Sequence, residues 1–321
     1  MAFALCQFIL ATDMIVKQKN GEIKRFNVDD VEEVVFNENS NIPNDSIVVD
    51  TSETFLKFEI LSDSTVELTR SSYYGHDSIA IPEKVRIDGK VYTVTSIGEN
   101  AFYGHKDLKN ITIPKRLTYI SSSAFYSCSS LENIIIPEGV TSIGESAFEK
   151  CNSLTNVNIP EGVMSIGYYA FLGCSSLRSI KIPKNVTTIS AYLFYDCSEL
   201  ESIELPKDVT SIGDYAFSGC SSLTGIELPN SITDIGSFVF YGCSKLKSID
   251  IIEGITSIGN YAFYECNSLT SIEIPTSVTS IGRYTFYDCN NADIVIDNSE
   301  KNVEVGSNAF KGCKSVTWLK D

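Results

Sequence analysis

The chain has 321 residues, of which 43% are hydrophobic and 21% charged, the balance of an ordinary folded protein. Its formal net charge is −16, and it holds only two histidines, His76 and His105. So acidic a surface opposes docking on nucleic acid or anionic membrane, and two histidines leave little for imidazole catalysis or histidine-based metal sites.

Residues 1–13 begin with the run MAFALCQFILA, which is apolar and too short to span a bilayer. The first basic residue is Lys17, so no positive segment precedes the run. It reads as the remnant of a secretory signal whose start lies upstream, with a short buried strand as the alternative. Leu5 stands before Cys6 where a lipidated cysteine usually follows a small residue, which argues against lipidation. Residues 14–36 carry Asn20-Gly21 between alternating residues, a hairpin signal, and then Val31, Val34 and Val35, which predict a turn and a strand. Residues 37–52 are polar and read as a linker or long loop. Residues 53–77 alternate around Ser62-Asp63-Ser64, predicting a hairpin that caps the remainder of the chain.

Residues 78–321 repeat. Phenylalanine recurs at one constant step from Phe102 through Phe125, Phe148, Phe171, Phe194, Phe217, Phe240 and Phe263 to Phe286, and Phe310 comes one position late. Cysteine keeps the same beat three residues later, from Cys128 to Cys313, with His105 in that slot of the first unit. The unit reads C-x-x-L-x-x-I-x-I-P-x-x-V-T-S-I-G-x-x-A-F. Its L-x-x-I-x-I part predicts a short strand, closed by a proline that cannot donate to a ladder. V-T-S-I is a second short apolar segment. The glycines at 98, 144, 167, 213, 236, 259, 282 and 306 suggest a backbone shape denied to residues with a Cβ, although Ser121 and Ser190 replace two of them. G-x-x-A-F-x-x-C fits a short helical turn. A single unit cannot offset its ordering entropy, so the units must stack as a quasi-one-dimensional solenoid.

The unit, with its recurrent C-S-S-L start, resembles the BspA-like leucine-rich repeats of Bacteroidetes-type surface proteins over residues 78–314. The segment Ile87-Asp88-Gly89-Lys90 is similar to that family's opening hairpin, with Asp-Gly as a tight turn. Residues 14–36 are also similar to amino-terminal segments of Bacteroidetes secreted proteins. The fold expected is therefore a leucine-rich-repeat solenoid of about nine to ten coils, each of about 23 residues. Short parallel strands, short helical turns and a small β-rich cap at the amino-terminal end complete that expectation.

Equivalent residues of successive coils should form rows. A cysteine row lacks the close paired spacing of zinc sites, and parallel side-chain vectors roughly 4.8 Å apart do not suit disulfides, so the row is expected to be core. An outward strand row turns acidic at Glu204, Glu227, Asp250 and Glu273. Like charges at that spacing repel by only about 0.8 kcal/mol in water, so the row can be a plain solvated face or a site for a basic partner or cation. A second candidate is the aromatic row Tyr169, Tyr192, Tyr215, Phe238, Tyr261 and Tyr284, either a cover for the convex edge or a strip contacting protein or glycan. No G-x-S-x-G, P-loop, H-E-x-x-H or G-x-G-x-x-G occurs, and no catalytic residues, metal site or cofactor is expected. The resemblance implies a non-catalytic, secreted or cell-surface adhesion or host-interaction protein without a transmembrane span. A structural matrix component and a glycan-binding accessory protein are the alternatives.

Overall fold

The computed structural model describes backbone strands at residues 4–8, 13–18 and 23–27, and then residues 48–51, 54–72 and 74–320. Ala4–Phe8 pairs antiparallel with Asp13–Gln18, which pairs antiparallel with Ile23–Asn27. The Asn20-Gly21 turn, the Val31–Val35 stretch and residues 37–47 lie outside the described residues. The stretch expected to be a linker ends in a strand, Val48–Asp50, parallel to Lys84–Arg86.

From Ser78 onward the chain winds as a solenoid with one repeat per coil. Ser78–Ala80, Asn110–Thr112, Asn133–Ile135 and Asn156–Asn158 pair in parallel, and the row continues through Ser179–Lys181 and Ser202–Glu204. A single bridge, Gly225 to Ser248, carries it to Ser271–Ile274, Asp293–Ile296 and Ser315–Trp318. A second row of two-residue strands runs beside it, as in Tyr119–Ile120, Ser142–Ile143 and Ser165–Ile166.

The third side of each coil is not the expected helical turn. In one coil Ala124, Tyr126 and Cys128 donate to the carbonyls three residues before them, while Ser123, Phe125 and Ser127 donate to the next coil. A helix would use every N–H within its own turn. Here the residues two before and two after each phenylalanine take positive φ, for example Ser123 at 54° and Ser127 at 58°. That left-handed backbone aims alternate N–H groups along the solenoid axis, giving a third inter-coil ladder.

The inner rows fill the space between these sides. Leu131, Ile134, Ile136, Val140, Ile143, Ala147, Phe148 and Cys151 of one coil are all buried, and so are their counterparts in the coil after it. The phenylalanines stack in one column from Phe102 to Phe310, with successive ring centroids between 5.1 and 5.9 Å apart. Beside them all nine cysteines of the row are free thiols. Each Sγ–H donates to the carbonyl of the preceding coil's phenylalanine, at 3.2 Å for Cys220 to Phe194 and 3.0 Å for Cys289 to Phe263. Burial pushes the Cys128 thiol up to about 12, so the donor proton stays in place at neutral pH.

The recurring glycine has a different cause from the one expected. None of the glycines at 98, 144, 167, 213, 236, 259, 282 and 306 has positive φ. A Cβ on Gly144 would stand 2.5 Å from the Ser122 amide nitrogen, and one on Gly282 2.5 Å from that of Asn260. Close approach of consecutive coils excludes the side chain. Ser190 fits its slot with its hydroxyl donating to the Ile166 carbonyl at 2.6 Å.

The amino-terminal end of the core is closed. Leu56–Ile60 and Thr65–Ser71 form the expected antiparallel hairpin, and Thr65–Leu68 extends the second strand row by pairing parallel with Thr93–Ile97. Its Leu56, Val66 and Leu68 are buried in the same core as the first coil. The opening hairpin Lys84–Ile87 with Lys90–Ile97 turns at Asp88 (φ 49°) and Gly89 (φ 80°), the two positive angles of a tight hairpin turn. His105, in the cysteine slot, ends that column: its Nε2 lies 3.1 Å from Ser71 Oγ and its ring stacks on Tyr74 at 4.5 Å. At the other end Ser271 pairs with Asp293, one position short of the usual step, and Ser280 with Glu304, one position beyond it. The position lost after Cys289 is regained, and one more is added, around the short 3-10 turn Glu300–Asn302.

This packing makes three measurable demands. Phe217→Ala should destabilise by about 3–5 kcal/mol in chemical denaturation, since it opens a void in a continuous ring stack. Gly282→Ala should cost roughly 1–3 kcal/mol by forcing two coils apart; a change near zero would show that the coils are not in contact there. Burial holds the His105 imidazole below its ordinary 6.5. The unfolded chain therefore takes up that proton first, and stability falls as pH drops below 6.5, at no more than about 1.4 kcal/mol per pH unit. Melting temperatures across pH 7.5 to 5.5 (roughly spanning that titration) should decline more steeply than in His105→Cys, which restores the column residue.

Candidate binding faces

Solenoid geometry turns each outward repeat position into a row with the spacing of the coils. On the strand face the pairing of Ser179–Lys181 with Ser202–Glu204 sets Lys181 beside Glu204. Glu204, Glu227, Asp250 and Glu273 are all exposed, while the alternate positions Ile226, Ile249 and Ile272 point into the core. Period-two alternation on a two-sided strand therefore fixes the direction of the carboxylates.

The structure brings three of the four together. Glu204, Glu227 and Asp250 line one trough of about 550 Å³, floored by Ile203, Gly225, Ile226 and Ser248. Glu273 lies one coil further on and outside it. Gly225 contributes no side chain at the centre of this face. A larger groove of about 890 Å³ adjoins it, lined by Lys181, Lys184 and Lys207 as well as by Glu161, Glu204, Asp208 and Glu227. Reading down the row finds Lys181, one coil before Glu204, but misses Lys184 and Lys207. Their signal lies in I-P-K at 182–184 and L-P-K at 205–207, the only two successive coils with lysine after the proline. Lys181 also forms an exposed ion pair with Glu161 at 3.5 Å, of a kind that contributes at most about 1 kcal/mol. Among the described residues no three His, Cys, Asp or Glu side chains gather to hold a metal ion.

Toward the amino-terminal end the same face is uncharged. It presents Asn110, Asn133 and Asn156 in register, with Thr112, Ile135 and Asn158 in the neighbouring row. Ile135 is 79% exposed, the most exposed large hydrophobic residue among those described.

The aromatic row lies on the turn side and is largely half-buried. Tyr169, Tyr192, Tyr215, Phe238, Tyr261 and Tyr284 stack face to face, with centroids from 4.4 to 5.0 Å apart. These six residues hold positive φ, from 55° at Tyr284 to 61° at Tyr169, an unfavourable backbone for bulky side chains. The stack offsets that cost, since each offset-stacked pair is worth about 0.5–1.5 kcal/mol beyond its burial. A second row one side over pairs Tyr241 with Tyr264 at 4.9 Å and Tyr264 with Tyr287 at 5.1 Å. Where either row is continuous its rings cover one another's faces. A sugar stacking on a flat ring face would find none free where the stack is continuous. Asp196 beside Tyr195, together with partial burial, holds that phenol above its ordinary range, and desolvation does the same for Tyr192, Tyr241 and Tyr264. These hydroxyls remain donors at neutral pH.

Neither face carries a catalytic constellation. The contact between His105 and Ser71 has the elements of a nucleophile and base, yet the two are only 2% and 0% exposed. No substrate reaches it. No helix of the described residues is long and apolar enough to cross a membrane.

The family model described as "BspA type Leucine rich repeat region" matches residues 83–201 and 187–317, with six copies. A leucine-rich repeat protein from Bacteroides ovatus superposes with a TM-score of 0.75 at 30% identity, over 82% of this chain and 69% of that one. A leucine rich cell surface protein from Faecalibacterium prausnitzii superposes with a TM-score of 0.62 at 24% identity, over 83% of this chain and 94% of that one. No curated protein sequence matches. Six matched copies of the repeat, spanning more than half of the chain and wound on one continuous core, make this protein a member of the BspA-type leucine-rich repeat family.

Proposed function

We propose that the protein is a non-catalytic, secreted or cell-surface scaffold that binds a protein partner through its strand face. The observation that carries the reading is the row Glu204, Glu227, Asp250 and Glu273, exposed on strands whose opposite side chains are locked in the core. Such a row presents fixed charges at roughly 5 Å intervals, the spacing of the coils. It attracts a basic protein surface and steers its approach, a role that net charge of −16 reinforces. Family membership supports a place outside the cytoplasm, in adhesion or host interaction. Coverage of the ring faces favours protein over glycan as the ligand class.

The test is an array of extracellular matrix proteins, cell-surface proteins and glycans, followed by amide replacement of the row (Glu204→Gln, Glu227→Gln, Asp250→Asn, Glu273→Gln). We expect capture of a basic protein whose affinity drops at least about tenfold in the amide variant, and whose on-rate falls with added salt. Binding that is indifferent to the four exchanges would remove the strand face from consideration. Capture of glycans alone would favour the accessory-protein alternative.

A further inference from the structure

The hairpin that closes the amino-terminal end of the core has one open strand edge. Leu56–Ile60 pairs with Thr65–Ser71 on one side and is the outermost strand of its sheet, with no described strand on the other. Two bonds fix which backbone groups meet that edge. Ser72 N–H donates to the Phe55 carbonyl at 3.1 Å, and Leu61 N–H to the Thr65 carbonyl at 3.0 Å. The one register shift between them places its extra residue, Thr69, in the partner strand, so alternation along Phe55–Leu61 is unbroken. In an antiparallel pair, residues that exchange bonds alternate with residues that do not. The backbone groups of Phe55, Lys57, Glu59 and Leu61 therefore face Thr65–Ser71, and the N–H and C=O groups of Phe58 and Ile60 point out from the open edge. Among the described residues nothing takes them up.

The side chains of this edge read alike from either end. Phe55-Leu56-Lys57-Phe58-Glu59-Ile60-Leu61 is a palindrome of residue classes centred on Phe58, with charges of opposite sign in the matching places. Laid antiparallel on a second copy about a two-fold axis at Phe58, Lys57 falls opposite Glu59, Leu56 opposite Ile60, Phe55 opposite Leu61, and Phe58 opposite itself. Phe58 N–H then donates to the Phe58 carbonyl of the second copy, and Ile60 N–H to its Leu56 carbonyl, each bond being formed twice. The apolar pairs matter because Phe55, Ile60 and Leu61 are 55%, 48% and 54% exposed in the single chain. Lys57 and Glu59 are exposed as well, and neither joins an ion pair with a described residue. A lysine on a strand edge ordinarily repels a foreign strand. Here the glutamate two residues on cancels that charge, but only against a copy of the same strand in this one register.

We propose that the edge Phe55–Leu61 is a homodimer site, at which two copies of the chain pair antiparallel about a two-fold axis at Phe58. The contact is isologous and closes on itself, so it gives a dimer and not a filament. Because Leu56–Ile60 is the end of its strand row, the two solenoids extend away from the joint. Such a dimer carries two strand faces, and a partner that repeats is held by both with the gain of linked sites. The dimer does not depend on what that face binds.

Sedimentation velocity of the full chain over a concentration series tests the proposal. One strand pair is at the small end of specific interfaces, so the expected result is a reversible monomer–dimer equilibrium. Lys57→Glu and Glu59→Lys change exposed positions, so both variants should fold. Each sets like charges opposite each other in two places and should raise the dissociation constant about tenfold. Mixed in equal amounts, the two single variants should dimerise with each other as well as the parent chain does, and the double exchange should dimerise alone. Misfolding would not produce that rescue. Hydrogen exchange at the Phe58 and Ile60 amides should slow as the dimer forms. A chain that stays monomeric to roughly 1 mM, a dimer indifferent to both exchanges, or single variants that fail to pair with each other would overturn the proposal.

Discussion

The distance between consecutive coils governs this molecule. Where Gly144 meets Ser122 and Gly282 meets Asn260 no Cβ fits, so backbone lies directly on backbone. That contact sets the period at which everything else must pack. Phenylalanine rings stack at 5.1 to 5.9 Å because the coils hold them there. Each cysteine thiol reaches the carbonyl of the preceding phenylalanine because that carbonyl is one coil away and faces inward. The alternating N–H groups of the turn side find carbonyls of the next coil for the same reason. None of these interactions exists inside a single repeat, so the repeat and the array are stable together or not at all.

The period and the core are legible in the sequence, since a phenylalanine and a cysteine that return at one constant step cannot all be surface. The need for those particular residue types is not. Cysteine as a small hydrophobe accounts for burial, but alanine or valine would be buried as well. The thiol's hydrogen bond, to a residue 26 positions earlier, emerges only once the path of the coil is known. Glycine reads as a demand on φ and is in fact a demand on space. The left-handed positions do have a signal in the sequence: the tyrosine row begins and ends in Asn100 and Asn308, and asparagine is the residue that best tolerates that backbone without being glycine. Read down the row, those two residues identify the conformation forced on the tyrosines between them. The helical reading of the same segment fails because local composition cannot reveal that half of its N–H groups are claimed by a neighbour.

Stacking also decides which rows can meet a ligand. A side chain whose faces are taken by its own equivalents in adjacent coils is structural even when it is half-exposed. The tyrosine row is of this kind along its interior, and its aromatic character belongs to the energetics of the edge before it belongs to recognition. The carboxylates of the strand face are the opposite case. Glu204 has Lys181 beside it, but from Glu204 to Glu273 the carboxylates repel one another weakly, by about 0.8 kcal/mol per pair at roughly 5 Å in water. The row is mildly unfavourable to the fold, and for that reason the proposed binding role falls to it rather than to the tyrosines.

The two outward rows use the repeat in different ways. The binding role proposed for the acidic row depends on repetition without contact: several equal charges at one spacing add to one field that would draw a basic partner in and hold it over several coils, with each contact individually modest. On the turn side repetition is used within the molecule, because each ring of the continuous stack from Tyr192 to Tyr284 lies on its equivalent in the next coil.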